Sequence, residues 1–163
     1  YPNRLLSLTL LSTAAFRTIN ERQKILDIIN KIEKEGLDVV LPSLINRWFS
    51  NDFINNNQEI INKRVKQIQQ TPLKIFLNVF RIYALTEMCF WLNEISTPSL
   101  IMTGEYDVGC SPELNKKISQ AIPNSKLEIL YSLKHAITLE APQLVGNKIK
   151  NFLKGLKNNS ILD

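Results

Sequence analysis

Ile95-Ser96-Thr97-Pro98-Ser99-Leu100-Ile101-Met102-Thr103-Gly104-Glu105-Tyr106-Asp107 enters an apolar run through a proline, closes it at a glycine and sets an acid three residues further on. Pro98 to Gly104 reads as a strand followed by a glycine turn. Next, Ser111-Pro112-Glu113 has the plan of a helix start: a hydroxyl N-cap, proline at the first helical position and an acid in the first turn. That helix is expected to stop near Pro123-Asn124, ahead of a strand over Lys126-Leu127-Glu128-Ile129-Leu130-Tyr131. Val145, Ile149, Phe152 and Leu156 then recur at helical spacing. Strand, helix, strand, helix predicts an α/β architecture, a parallel sheet covered by helices.

Upstream the pattern differs. Ile25, Ile28, Ile29 and Ile32 fall at i, i+3, i+4, i+7 and the segment ends at Gly36, so an amphipathic helix is expected there. Leu41, Leu44 and Ile45 with Trp48 and Phe49 predict a second, short helix. Ile61, Val65 and Ile68 mark a third that stops before Pro72, and Phe76, Val79, Phe80 and Tyr83 a fourth. Residues 18–94 therefore read as one helical block. Before it, Leu5-Leu6-Ser7-Leu8-Thr9-Leu10-Leu11 is a near-continuous apolar run, expected to form a strand over 5–12 buried on both faces. The expected organisation is a core strand in 1–17, the helical block in 18–94 and the remaining core in 95–163.

Composition excludes several classes. With 163 residues, 44% hydrophobic, 21% charged and five glycines, the chain is neither collagenous nor a long disordered segment. The longest apolar stretches, such as Met88-Cys89-Phe90-Trp91-Leu92, are far shorter than the ~18 residues of a membrane span. The net charge of +5 comes from lysines and arginines interleaved with acids, without a basic run among aromatics, so no nucleic-acid partner is expected. Two cysteines, Cys89 and Cys110, make neither a disulfide framework nor a four-ligand metal site, and the reducing cytoplasm is the expected compartment.

In an open parallel sheet, ligands bind outside the carboxyl ends of the strands, so the loops after the two C-terminal strands should open on one edge. Asp107 lies in the first loop and His135, the single histidine, in the second. One crossover can bring them side by side. An Asp beside a His holds the imidazole in the tautomer that accepts a proton at its other nitrogen and stabilises the imidazolium formed. Taken singly, such a His is more often a surface residue and such an Asp a turn former. Trp48, Phe49, Phe90 and Trp91 could line a pocket but read first as packing residues. Glu105 reads as a solvated loop acid and Cys110 as a small neighbour of the site. Tyr106, Val108 and Ala136 flank the two candidates.

The Ile95 to Asp107 stretch resembles the segment of α/β-hydrolases that carries the triad acid. Ala121-Ile122-Pro123-Asn124-Ser125-Lys126-Leu127-Glu128-Ile129-Leu130, then His135 and Leu139-Glu140-Ala141-Pro142, resembles that family's last strand, catalytic His and following helix start. The opening Tyr1-Pro2-Asn3-Arg4-Leu5-Leu6-Ser7-Leu8-Thr9-Leu10 resembles the segment just after the family's nucleophile helix. With Arg47-Trp48-Phe49 in the central block, the chain looks most like 3-oxoadipate enol-lactonases. The resemblance implies the C-terminal part of an α/β-hydrolase fold with a helical cap insertion, Asp107 and His135 as catalytic residues, no cofactor, and a small-molecule ester or lactone substrate.

The family's nucleophile motif, Gly-x-Ser-x-Gly, does not occur in the chain, and Ser7, Ser12 and Ser111 lack the flanking glycines. The expectation is a piece of a longer enzyme whose nucleophile and oxyanion hole lie upstream, the 163 residues alone being inactive. An inactive remnant serving as an interaction module is the alternative. A missing Ser would go with esters, lactones or C–C cleavage, and a missing Asp with epoxide or haloalkane chemistry.

Overall fold

A computed structural model describes residues 4–159; Tyr1-Pro2-Asn3, which open the hydrolase-like stretch, and residues 160–163 lie outside the described residues. In chain order the elements are β1 (Leu8–Leu11), α1 (Ile19–Glu35), α2 (Leu37–Trp48), α3 (Asn51–Asn56), α4 (Gln58–Gln70), α5 (Leu73–Leu85), a 3-10 turn (Leu92–Glu94), β2 (Ser99–Gly104), α6 (Pro112–Ala121), β3 (Ser125–Leu130), α7 (Ile137–Glu140) and α8 (Pro142–Asn159). They form two compact units, residues 17–87 and the remainder. No helix among the described residues is long and apolar enough to cross a membrane.

One unit holds the sheet, with order β1-β2-β3 and every pair parallel. β2 is central and all six of its residues are buried. Its side chains alternate between two helical layers, as the pleat requires. Leu100 and Met102 pack with Ile137 and Val145, while Ile101 packs with Ile118 and Ile122. Helix α6 starts where the sequence predicts: the Ser111 hydroxyl accepts the Leu114 N–H and Pro112 occupies the first turn.

The expected strand over 5–12, buried on both faces, needs correction. β1 spans only Leu8–Leu11, its residues are half-buried, and Leu5 and Leu6 are exposed. The ladder begins with the Leu8 N–H donating to the Pro98 carbonyl, and Pro98, without an N–H, cannot donate to carry the pairing further back. At the other end Ser12, at φ 47°, leaves the extended conformation. Among the described residues β1 pairs with β2 alone, which explains its partial burial.

The second unit is helical. Thr18 caps α1 through a capping box with Glu21, each satisfying a backbone N–H of the other's turn. Gly36, at φ 92°, turns the chain directly from α1 into α2. Ile29, Ile32, Val40, Leu44 and Leu77 form this unit's core. Arg17 ties its two ends together. The guanidinium is buried, donates to the carbonyls of Tyr83 and Thr86 and lies 4.4 Å from the Tyr83 ring centroid. The Arg17 backbone N–H donates to the Glu87 carboxylate at 3.1 Å. Two short helices, α3 and α7, are additions to the predicted elements.

Candidate active site

The loops after β2 and β3 are joined to each other before either carries chemistry. The Tyr106 N–H donates to the Leu133 carbonyl at 2.9 Å, and the Ser132 N–H to the Glu105 carboxylate at 3.0 Å. Glu105 is thus a staple between loops rather than a freely solvated acid. Gly104 permits the approach, since a Cβ there would stand 2.1 Å from the Lys134 carbonyl oxygen.

Asp107 is buried, and its carboxylate is divided between two duties. Oδ1 accepts the backbone N–H groups of Gly109 at 3.0 Å and Cys110 at 2.8 Å. Oδ2 lies 2.8 Å from His135 Nδ1, with the Thr103 hydroxyl at 3.5 Å. A carboxylate can only accept, so Nδ1 carries the shared hydrogen and Nε2 is the nitrogen left for other chemistry. The His135 side chain is 38% exposed, so that second nitrogen belongs to a ring with access to solvent.

The imidazole is held above its ordinary value of 6.5, to about 10. Burial works against the charge, and the hydrogen bond to Asp107, reinforced by Cys110, outweighs it. The pair therefore favours imidazolium, the state that a general base reaches after taking a proton.

Three side chains outside the sequence-derived set hold this arrangement. The Ser12 hydroxyl donates to the His135 carbonyl at 2.8 Å, from the C-terminal end of β1. The Thr103 hydroxyl donates to the Cys110 carbonyl at 2.7 Å. Asn115, fully buried, directs its amide nitrogen at the carbonyls of Thr13, Cys110 and Ser111, at 2.9–3.0 Å. Asn115 was detectable in principle: it sits beside Leu114 and three residues before Ile118, a polar residue on the buried stripe of α6. Ser12 and Thr103 carry no such local signal.

The other sequence candidates are scattered. Cys110 is buried beside the pair; its sulfur, an Asp107 oxygen and a His135 nitrogen all lie within 4.8 Å of one another. Tyr106 and Val108 are exposed. Phe49 is buried and stacks on Phe53, and Trp48 joins the helical core, whereas Phe90 and Trp91 are exposed rather than packed. Ser111 serves as a helix cap.

No family model matches the chain. Its sequence is 25% identical over 126 residues to 3-oxoadipate enol-lactonase 1 of Acinetobacter baylyi, a match that covers 77% of this chain and 47% of that one. The enol-lactonase of Burkholderia xenovorans superposes with a TM-score of 0.86 at 17% identity, over 94% of this chain and 58% of that one. A thermophilic esterase from Thermogutta terrifontis gives 0.80 at 22% identity, over 96% and 58%. The chain spans about half the length of the curated relatives it matches. The fold is that of part of an α/β-hydrolase with a helical cap, and the sequence resembles the enol-lactonases.

Proposed function

We propose that, within an α/β-hydrolase frame, Asp107 and His135 are the acid and base of a nucleophile-His-Asp triad that hydrolyses a carboxylic ester or lactone. The observation that carries this reading is the 2.8 Å contact between Asp107 Oδ2 and His135 Nδ1 at the ends of neighbouring parallel strands. The nucleophile is supplied by polypeptide outside these 163 residues, in which no Gly-x-Ser-x-Gly occurs. It attacks the substrate carbonyl as its proton passes to Nε2 of the neutral His135 ring, the form whose share grows as pH rises toward about 10. The imidazolium then protonates the leaving alkoxide, and His135 afterwards draws a proton from the water that cleaves the acyl-enzyme. Asp107 holds the ring and balances its charge, while Ser12 and the Glu105 staple hold the loop. No cofactor enters this chemistry.

A fluorophosphonate reagent applied to the full-length protein tests the proposal. A serine that becomes covalently labelled, with labelling and ester turnover both reduced about 10³-fold by His135→Ala, is the expected result. Turnover unaffected by His135→Ala removes His135 from the mechanism. A second reading, a hydrolase-like chain that binds without turnover, draws on Ile75, Val79 and Ile82, exposed at i, i+4, i+7 along α5. Absence of labelling and of ester or lactone turnover in the folded full-length protein favours it. A labelled aspartate after reaction with an epoxide or haloalkane would redirect the substrate class.

A further inference from the structure

We infer that Asp107, Cys110 and His135 form a binding site for a thiophilic divalent cation of the zinc or cobalt class, whose occupation silences the Asp-His pair. The three residues supply a carboxylate oxygen, a thiol sulfur and a ring nitrogen, all within 4.8 Å of one another. A tetrahedral zinc ion, with Zn–S about 2.3 Å and Zn–N or Zn–O about 2.0–2.2 Å, needs donors roughly 3.3–3.7 Å apart. The Asp107–His135 pair, at 2.8 Å, would open slightly, and separations as wide as 4.8 Å would close by about 1.1–1.5 Å. A thiolate, an imidazole and a carboxylate are the donor set of zinc, and the sulfur disfavours magnesium and calcium.

The surroundings suit such an ion. The Gly109 and Cys110 N–H groups hold Asp107 Oδ1, which leaves Oδ2 on His135 Nδ1. Thr103 and Asn115 fix the Cys110 backbone through its carbonyl. Asp107 and Cys110 are buried while the His135 side chain is partly exposed, so solvent reaches the cluster from the His135 side. On binding, Cys110 loses its thiol proton to solvent, as does the imidazole any proton on the ligating nitrogen, and the metal–ligand bonds replace them. An ion so held ties the ring and the carboxylate into its own coordination sphere, so hydrolysis by the proposed triad stops.

The binding site rests on its donor set and its test needs no substrate, so it stands or falls separately from the hydrolase proposal; only the silencing of the pair rests on that proposal. Co²⁺ is titrated into the reduced, purified full-length protein. The expected result is a thiolate-to-cobalt charge-transfer band that Zn²⁺ displaces. Cys110→Ser abolishes the band, His135→Gln weakens binding about tenfold or more, and Cys89→Ser leaves the band unchanged. No charge-transfer band in the folded protein overturns the inference, as does a band that survives Cys110→Ser. Should Cys110→Ser fail to fold, Zn²⁺ titration of the unsubstituted protein followed through the His135 ring protons decides. A saturable shift supports the site, and unmoved resonances overturn it.

Discussion

Gly104 and Lys134 meet so closely that a methyl group on the first would stand 2.1 Å from the carbonyl oxygen of the second, and 2.4 Å from that of Leu133. Both obstacles are backbone, which cannot swing aside as a flexible side chain would. Gly104→Ala should therefore push apart the loops that carry Asp107 and His135. The expected cost is about 3 kcal/mol in urea unfolding. Gly146, in α8 with open space around its Cβ position, is the control. Gly146→Ala should raise stability by about 0.5–1 kcal/mol, because alanine restricts the unfolded chain and favours helix. Equal effects at the two positions would contradict the close approach.

The single histidine in the sequence makes His135 directly readable by NMR. Its ring protons should titrate near pH 10 in the folded protein, against 6.5 ordinarily, and Asp107→Asn should bring that midpoint down. For stability the sign follows from linkage. A raised folded value means that the folded state keeps a proton which the unfolded chain has already lost between pH 6.5 and about 10. The pair's contribution is full below pH 6.5 and disappears as pH rises through about 10, so unfolding free energy should decline across that window. Asp107→Asn should flatten the decline.

Ser12 combines an unusual backbone with a useful side chain. At φ 47° it sits where L-residues are strained, yet its hydroxyl holds the His135 carbonyl at 2.8 Å. Ser12→Ala loses the bond and keeps the strain, at a cost of about 1 kcal/mol. Ser12→Gly loses the bond but relieves the backbone, and should be the milder substitution. Thermal melts of the two variants check the order, and an alanine variant more stable than the glycine one would refute it.

Arg17 is the anchor of the helical unit. Arg17→Met removes the donors that reach Tyr83 and Thr86 and the charge beside Glu87, while keeping much of the aliphatic bulk. Stability should fall by on the order of 3 kcal/mol, the range for breaking a buried charged network. Denaturant unfolding measures it, and a loss below 1 kcal/mol would show that these bonds contribute little.

The sheet was legible where local chemistry is emphatic. Pro98, Gly104, Ser111 and Pro112 delimit β2 and α6 almost to the residue, because a missing N–H, a close backbone approach and a cap each act at one position. The hydrophobic run overextends β1 because hydrophobicity says nothing about whether a neighbour can donate a hydrogen bond, and Pro98, without an N–H, cannot. α3, Asn51–Asn56, escaped because four of its six residues are polar and no apolar period runs through it. The approach of Asp107 to His135 was expected from matching strand ends, although they stand 28 residues apart. Ser12 was not, because its bond to His135 spans 123 residues and depends on how the strands are ordered.

Arg17 and Glu87 touch, yet all of the helical unit lies between them. The polypeptide leaves the strand-bearing unit and comes back to it through a single doorway. Such a segment behaves as a cassette: its helices can lengthen, drift in sequence or be exchanged for another bundle, provided the new ends meet at the same spacing. The order β1-β2-β3 and the Asp107–His135 contact are both built from residues outside 17–87.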